Sequence, residues 1–157
     1  MQRELKYIQE AIELSRKGIT GNEGGPFGCV IVKGDEVIGR GWNRVTSSHD
    51  PTAHAEVVAI RDACEKLGHH QLEGCEVYTS CEPCPMCMGA LYWARPDKIF
   101  YANTREDAAI IGFDDSMIYE ELKAPIGQRR IKMINIAETD AFQVFKDWHA
   151  SESKKHY

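Results

Sequence analysis

Two short segments carry the residue types from which a catalytic centre is made: His54-Ala55-Glu56, and Pro83-Cys84-Pro85-Met86-Cys87. One imidazole and two thiolates are ligands of the kind Zn²⁺ prefers. Three protein ligands leave the fourth tetrahedral position open, which is the arrangement of a catalytic zinc and not of a structural one. A carboxylate two residues from the imidazole, outside the ligand set, can move protons between a water and a substrate. A lone Cys-x-x-Cys would be weak grounds for this reading; the combination, with Pro before the first Cys, is specific. Two blander readings stand beside it. Cys84 and Cys87 could form a thioredoxin-like redox pair, which the upstream His-x-Glu disfavours. A closed structural zinc would need a fourth ligand from Cys81, Cys75 or His49.

The elements around these segments are readable from periodicity. A helix opening at Pro51-Thr52 and running to about Leu67, ended by Gly68, puts His54 and Glu56 in its first turn, with Ala53, Val57, Ile60, Ala63 and Cys64 on the core face. A second helix over Cys84 to Ala94, closed by Arg95-Pro96, makes Cys84 and Cys87 an i, i+3 pair with both sulfurs on one face. Free backbone N–H groups and the macrodipole at a helix start favour thiolates. The same amides can donate to a substrate atom. Pro85 suits such a start, because its missing N–H has no helical partner there.

The rest of the chain supplies a scaffold. Leu5, Ile8, Ile12 and Ser15 form one stripe of a helix over 3–17, with Gly18 as its stop, and a Gly-rich loop over 21–26 follows. Phe27 to Lys33 and Glu36 to Gly41 read as a hairpin about Gly34-Asp35, and Asn43 to Asp50 as loop. Further strands are expected over Cys75 to Ser80, Lys98 to Ala102 and Ile131 to Ile136. Helices are expected around 105–122 and over Ala141 to Ser151, before a polar tail. The alternation of strand and helix after residue 51 implies one α/β domain with a mixed, largely parallel five-stranded sheet covered by helices on both faces. Cys29, Cys64, Cys75 and Cys81 read as small core residues, His69, His70, His149 and His156 as surface, and Trp42, Trp93 and Trp148 individually as core.

In its motifs the chain resembles the cytidine-deaminase-like zinc-dependent nucleobase deaminases. Gly25-Pro26-Phe27-Gly28, Asp50 to Glu56 and Thr79 to Cys87 look like the purine-directed branch, which includes guanine deaminases and tRNA adenosine deaminases. Gly112-Phe113-Asp114-Asp115-Ser116 and the terminal Lys154-Lys155-His156-Tyr157 look like its guanine-directed members. The resemblance implies a three-layer α/β/α fold and one catalytic zinc per chain, held by His54, Cys84 and Cys87. It implies hydrolysis of guanine to xanthine and ammonia by a zinc-activated water, with Glu56 as proton shuttle. It also implies substrate contacts. Asn43 corresponds to the family's ring-binding Asn, whose amide can both donate and accept. Asp115, with Asp114 as the alternative, would meet guanine's amino or N–H groups. Phe27 and Trp93 would line the ring faces, Ala55 would contribute from the zinc helix, and Tyr157 would bring a hydroxyl or terminal carboxylate. A homodimer is expected by analogy, with exchange of the C-terminal element as one route to it. Guanosine, another aminated heterocycle or a tRNA adenosine are the alternative substrates, and a zinc-folded interaction module is the non-enzymatic alternative.

Charge bears on these alternatives. Nineteen Lys and Arg against 24 Asp and Glu give a net charge of −5, with no dense basic run, so a duplex-binding surface is disfavoured and a tRNA substrate modestly so. A small-molecule substrate fits better. The first 17 residues are charged throughout, unlike a signal peptide, and no apolar run approaches a membrane span. Cytoplasmic location with six reduced cysteines is the expectation.

Overall fold

Strand β1 (Gly28–Lys33) sends Val30 and Val32 to one side of a sheet and Cys29 and Ile31 to the other, all of them buried. A tight turn at Gly34 (φ +62°) returns the chain as β2 (Glu36–Trp42), antiparallel to β1. Strand β3 (Cys75–Cys81) lies against the other edge of β1, also antiparallel, and β4 (Lys98–Asn103) runs parallel to β3, giving the order β2-β1-β3-β4. The computed structural model describes all residues, Met1–Tyr157. These strands belong to the first of two units, Met1–Ser116, and the second is Met117–Tyr157.

Two expectations about the sheet are corrected. It has four strands and not five, because Ile131 to Ile136 has no regular structure and leaves Ile131 and Ile134 82% and 79% exposed. Apolar alternation makes a strand only where a neighbouring backbone supplies the ladder of hydrogen bonds. The sheet is mixed, but only the β3–β4 pairing is parallel. The connection from β2 to β3 passes over β1, so β3 runs with β2 yet lies beside the one strand pointing the other way.

Helices cover both faces of the sheet, as expected. Helix α1 (Gln2–Thr20) covers the Val30, Val32 and Tyr78 face. It runs through Gly18, and its buried stripe is Tyr7, Ala11, Ser15 and Gly18, whereas Leu5 is 62% exposed. A short helix α2 (Val45–Ser48) interrupts the expected 43–50 loop. The opposite face carries α3 (Ala55–Leu67) and α4 (Pro85–Ala94), packed on Cys29, Ile31 and Val77. After β4 come α5 (Arg105–Ile110) and α6 (Ser116–Lys123), in place of one helical region over 105–122. In the second unit a 3₁₀ turn over Ile126–Gln128 precedes α7 (Ala141–Ala150), and Arg129 donates to the Ala124 and Leu122 carbonyls at the end of α6. No helix is long and apolar enough to cross a membrane.

The placement of α3 depends on small residues. Its buried face is Ala55, Glu56, Ala59 and Ala63, and it lies on Gly39 and Gly41 of β2. A Cβ on Gly39 would come within 2.6 Å of the Ala59 carbonyl, and one on Gly41 would strike the Ala55 carbonyl between His54 and Glu56. Gly41→Ala is therefore expected to cost about 1–3 kcal/mol by overpacking. It should also weaken zinc retention, because the atom displaced is in the first turn of α3. Urea denaturation and metal content measure the two effects.

Candidate metal centre and its surroundings

The C-terminal ends of β2, β3 and β4 and the start of β1 share one end of the sheet, where Gly28 pairs with Trp42 and Cys81 with Asn103. Both helix starts are delivered there. His54 is the N-cap of α3 and Cys84 the N-cap of α4, each with extended backbone, so they precede the first turns in which they were expected. An N-cap side chain ordinarily accepts from a backbone N–H two or three residues on. Neither does so here; both turn towards each other instead. Cys87 is the third residue of α4, and Pro85 its first.

His54 Nδ1 lies 3.5 Å from Cys84 Sγ and 3.6 Å from Cys87 Sγ, and the three ligand atoms lie within 4.8 Å of one another. A tetrahedral zinc with Zn–S of about 2.3 Å and Zn–N of about 2.0–2.1 Å has N···S edges of about 3.6 Å. The donor set and its spacing fit that ion. The side chains considered for a fourth ligand are elsewhere. Cys81 directs its thiol at the Thr104 carbonyl, Cys75 pairs with Lys33 at the far end of β3, and His49 is exposed.

Electrostatics within the group are uneven. Hydrogen bonding from the Cys87 thiol, helped by His54, lowers the Cys84 pKa to about 4, while Cys87, which donates to Cys84 and is buried, is pushed well up. Its pairing with Cys84 raises His54 against the opposing effect of burial. Glu56, the second residue of α3, is 6% exposed, and burial raises its pKa. Its Oε2 accepts from Cys87 Sγ at 3.3 Å and its Oε1 lies 3.4 Å from the Thr79 hydroxyl. Thr79 was not singled out from sequence. Its signal is strand alternation, which places it on the α3 face of β3 beside Val77.

The residues expected around the ligand fall into three groups. Ala55 is fully buried between His54 and Glu56. Asn43, at the end of β2, is 4% exposed, and its Oδ1 accepts from the Gly25 N–H at 3.2 Å and the Val45 N–H at 3.1 Å. The amide oxygen is therefore engaged within the chain as an acceptor. Asp115 is half-buried, and burial, with the Cys84 charge, raises its pKa. Asp114 is exposed, accepts from the Ser116 N–H at 2.9 Å and is held low by that bond. Phe27 is half-buried and meets Phe113 edge-on at 4.9 Å. Trp93 is 65% exposed on α4, and Tyr157, in the second unit, is 70% exposed.

Comparison with known proteins gives a consistent picture. Residues 1–103 match the cytidine and deoxycytidylate deaminase zinc-binding region. Guanine deaminase of Bacillus subtilis is 50% identical over 151 residues, 96% of this chain and 97% of that one. An X-ray structure of guanine deaminase from that organism matches with a TM-score of 0.94 at 50% identity, covering 97% of each chain. A guanine deaminase structure from Nitrosomonas europaea matches with a TM-score of 0.66 at 36% identity, over 69% of this chain and 63% of that one. The tRNA-specific adenosine deaminase of Aquifex aeolicus is 40% identical over 108 residues, 68% of each chain.

Proposed function

Because this chain belongs to the zinc-dependent cytidine and deoxycytidylate deaminase family, on its guanine deaminase branch, we propose that it hydrolyses guanine to xanthine and ammonia. One observation carries the reaction type: a buried carboxylate 3.3 Å from a sulfur of a three-ligand group with zinc spacing. Likeness to guanine deaminase through the second unit as well as the first supports the substrate.

His54, Cys84 and Cys87 would hold the ion. When bound, zinc would supply a Lewis acid that lowers the pKa of a water. As a ligand Cys87 would be a thiolate and would no longer donate to Glu56, leaving Oε2 free to accept a proton from water. Glu56 passes protons to the ring nitrogen and then to the departing amine, so guanine and water become xanthine and ammonia with no net proton change at the enzyme. Burial suits this role, since it raises the carboxyl and so makes it a better proton acceptor than an exposed one. Ala55, buried between His54 and Glu56, would contribute from the start of α3. Asn43 and Asp115 bind the polar edge of the base, Asp114 is the lesser candidate, and Phe27 packs against the ring.

We take residues 1–157 as one deaminase domain, with Tyr157 in its tail, about 152–157, as a further candidate for contacting substrate. Trp93 and Tyr157 are exposed aromatic residues suited to an assembled dimer. In the second unit Ile131, Ile134, Phe142 and Phe145 are each at least two-thirds exposed or nearly so, which supports a homodimer with an exchanged C-terminal element. Six free cysteines suit the reducing cytoplasm. The net charge of −5 argues against a tRNA substrate.

The test is ammonia release and ultraviolet change with guanine, adenine, cytosine and guanosine offered in parallel to the zinc-loaded protein. Turnover of guanine to xanthine is expected, with the other bases left unchanged. Silence with guanine beside turnover of another base would overturn the substrate and keep the zinc chemistry.

A further inference from the structure

An amide oxygen has two lone pairs, and both of those on Asn43 are engaged. The Val45 N–H closes an Asx turn onto Oδ1, and the Gly25 N–H reaches it from a loop 18 residues earlier. Two N–H donors fix which end of the amide is which, because a flipped amide would set donor against donor. The polar group that Asn43 has left to offer is its NH₂.

Gly24 makes this clamp possible. A Cβ there would lie 2.6 Å from the Asn43 backbone carbonyl oxygen and 2.9 Å from its carbon, and it would collide with Oδ1 as well. The backbone at Asn43 is not free to yield. The ring of its neighbour Trp42 is held by the cationic heads of Lys17 and Arg44, each 4.0 Å from its centre. Arg44 N–H is bonded to the Ala53 carbonyl at 2.9 Å, and Asn43 N–H to the Phe27 carbonyl at 3.0 Å. A side chain at position 24 must therefore displace the Asn43 side chain or the loop carrying Gly25.

We propose that Gly24 is a positioning residue whose missing side chain lets the Gly25 and Val45 amides clamp Asn43, so that Asn43 meets the base as a hydrogen-bond donor only. The ligand atom opposite it is then an acceptor, a carbonyl oxygen or unprotonated ring nitrogen, both of which guanine carries. A base presenting an amino group at that point sets donor against donor and is rejected. This rests on the deaminase reading above and adds the polarity of its base recognition.

Gly24→Ala is expected to raise KM for guanine about tenfold or more, the loss of one hydrogen bond to the ligand, with kcat changed by less than about threefold and metal content unchanged. In the unliganded protein the Gly25 and Val45 amides should exchange with solvent about tenfold faster than in the wild type. On an Asn43→Ala background the Gly24 substitution should add nothing to KM; a full additional rise there would overturn the proposal, as would unchanged amide exchange in Gly24→Ala. Asn43→Asp separates clamp from donor even if Gly24→Ala fails to fold. Its carboxylate keeps both amides protected but has no N–H, so KM should rise as far as in Asn43→Ala, and a wild-type KM would sink the idea. A wild type inactive on guanine defeats the substrate reading alone: amide exchange still judges the clamp, and KM is compared on the base that is turned over.

Discussion

Glu56→Gln is expected to lower kcat by about 10²–10⁴-fold, the usual worth of a positioned proton transfer, while the chain keeps its zinc and its fold. Gln is nearly isosteric with Glu, and its amide oxygen can still accept from Thr79, the neighbour 3.4 Å away. What it lacks is the ability to take a proton from water and return it. The same substitution has a stability signature of opposite sign. Burial raises the Glu56 carboxyl above its ordinary value, so the metal-free folded chain holds that proton more tightly than the unfolded chain. In the window between the unfolded and folded pKa values the native state binds more protons, and stability falls as pH rises. Above the folded pKa the cost of a buried carboxylate is fully present, and Gln does not incur it. Metal-free Glu56→Gln should therefore melt at or above the wild-type temperature at pH 7, with the advantage shrinking as pH falls towards about 3, where the wild-type side chain is neutral in both states. Thermal melts at the two pH values, beside rapid-quench rates on zinc-loaded protein, check both halves. A kcat within tenfold of wild type would move the proton transfer to another group.

The metal group was legible in sequence because its chemistry is carried by residue type at short spacing, and a helix start supplies most of the geometry. The error of one position, His54 and Cys84 as N-caps and not first-turn residues, follows from the same cause: cap and first turn look alike until the backbone angles are known. Packing between elements was less legible. Apolar periodicity picks out Leu5, Ile8, Ile12 and Ser15 on α1; Ser15 is buried and Ile8 packs against the core, but close approach to the sheet favours small residues, and the rest of the buried stripe is Tyr7, Ala11 and Gly18. At α3 the expected Ala53, just before the helix, and Ala63 are buried and Ile60 and Cys64 pack against the core, while the same preference adds Ala55 and Ala59 against Gly41. Strand order was out of reach, because nothing local in β3 specifies whether β1 or β2 becomes its neighbour. Ile131 to Ile136 has the composition of a strand, but composition supplies no partner. At the site, Asp114 and Asp115 are adjacent and equivalent as letters. Only the fold distinguishes the one bonded to Ser116 from the one that senses the Cys84 charge. The polarity of Asn43 was hidden for a similar reason, since half of its clamp comes from Gly25, far away in sequence.

Zinc uptake by the metal-free chain should release between about one and two protons per ion at pH 7, and chelation should abolish turnover and lower the melting temperature. A metal-ligating cysteine must be a thiolate and a ligating histidine neutral, so each protonated ligand gives up a proton on binding. Cys84, with its pKa lowered to about 4, is already ionised at neutral pH and contributes none. Cys87 is held as the thiol by donation to Cys84 and by burial, and contributes a full proton. His54 is raised by its pairing with Cys84, so a fraction of the chains give up an imidazolium proton too, more at pH 6 than at pH 8. The count should therefore fall towards one as pH rises, and apparent zinc affinity should weaken as pH falls. Stability follows by mass action: an ion that binds the folded state alone adds RT ln(1 + [Zn]/Kd), about 4 kcal/mol at a thousand times Kd. Titration calorimetry in buffers of different ionisation enthalpy counts the protons. Two protons released at a pH where the His54 imidazole is seen by NMR to be neutral would mean that both thiols were protonated and that Cys84 is no preformed thiolate; none released would remove Cys87 from the ligand set. Cys87→Ser and Cys84→Ser should each cut zinc retention, because either change leaves two of the three ligands, but only Cys87→Ser removes the thiol proton from the count.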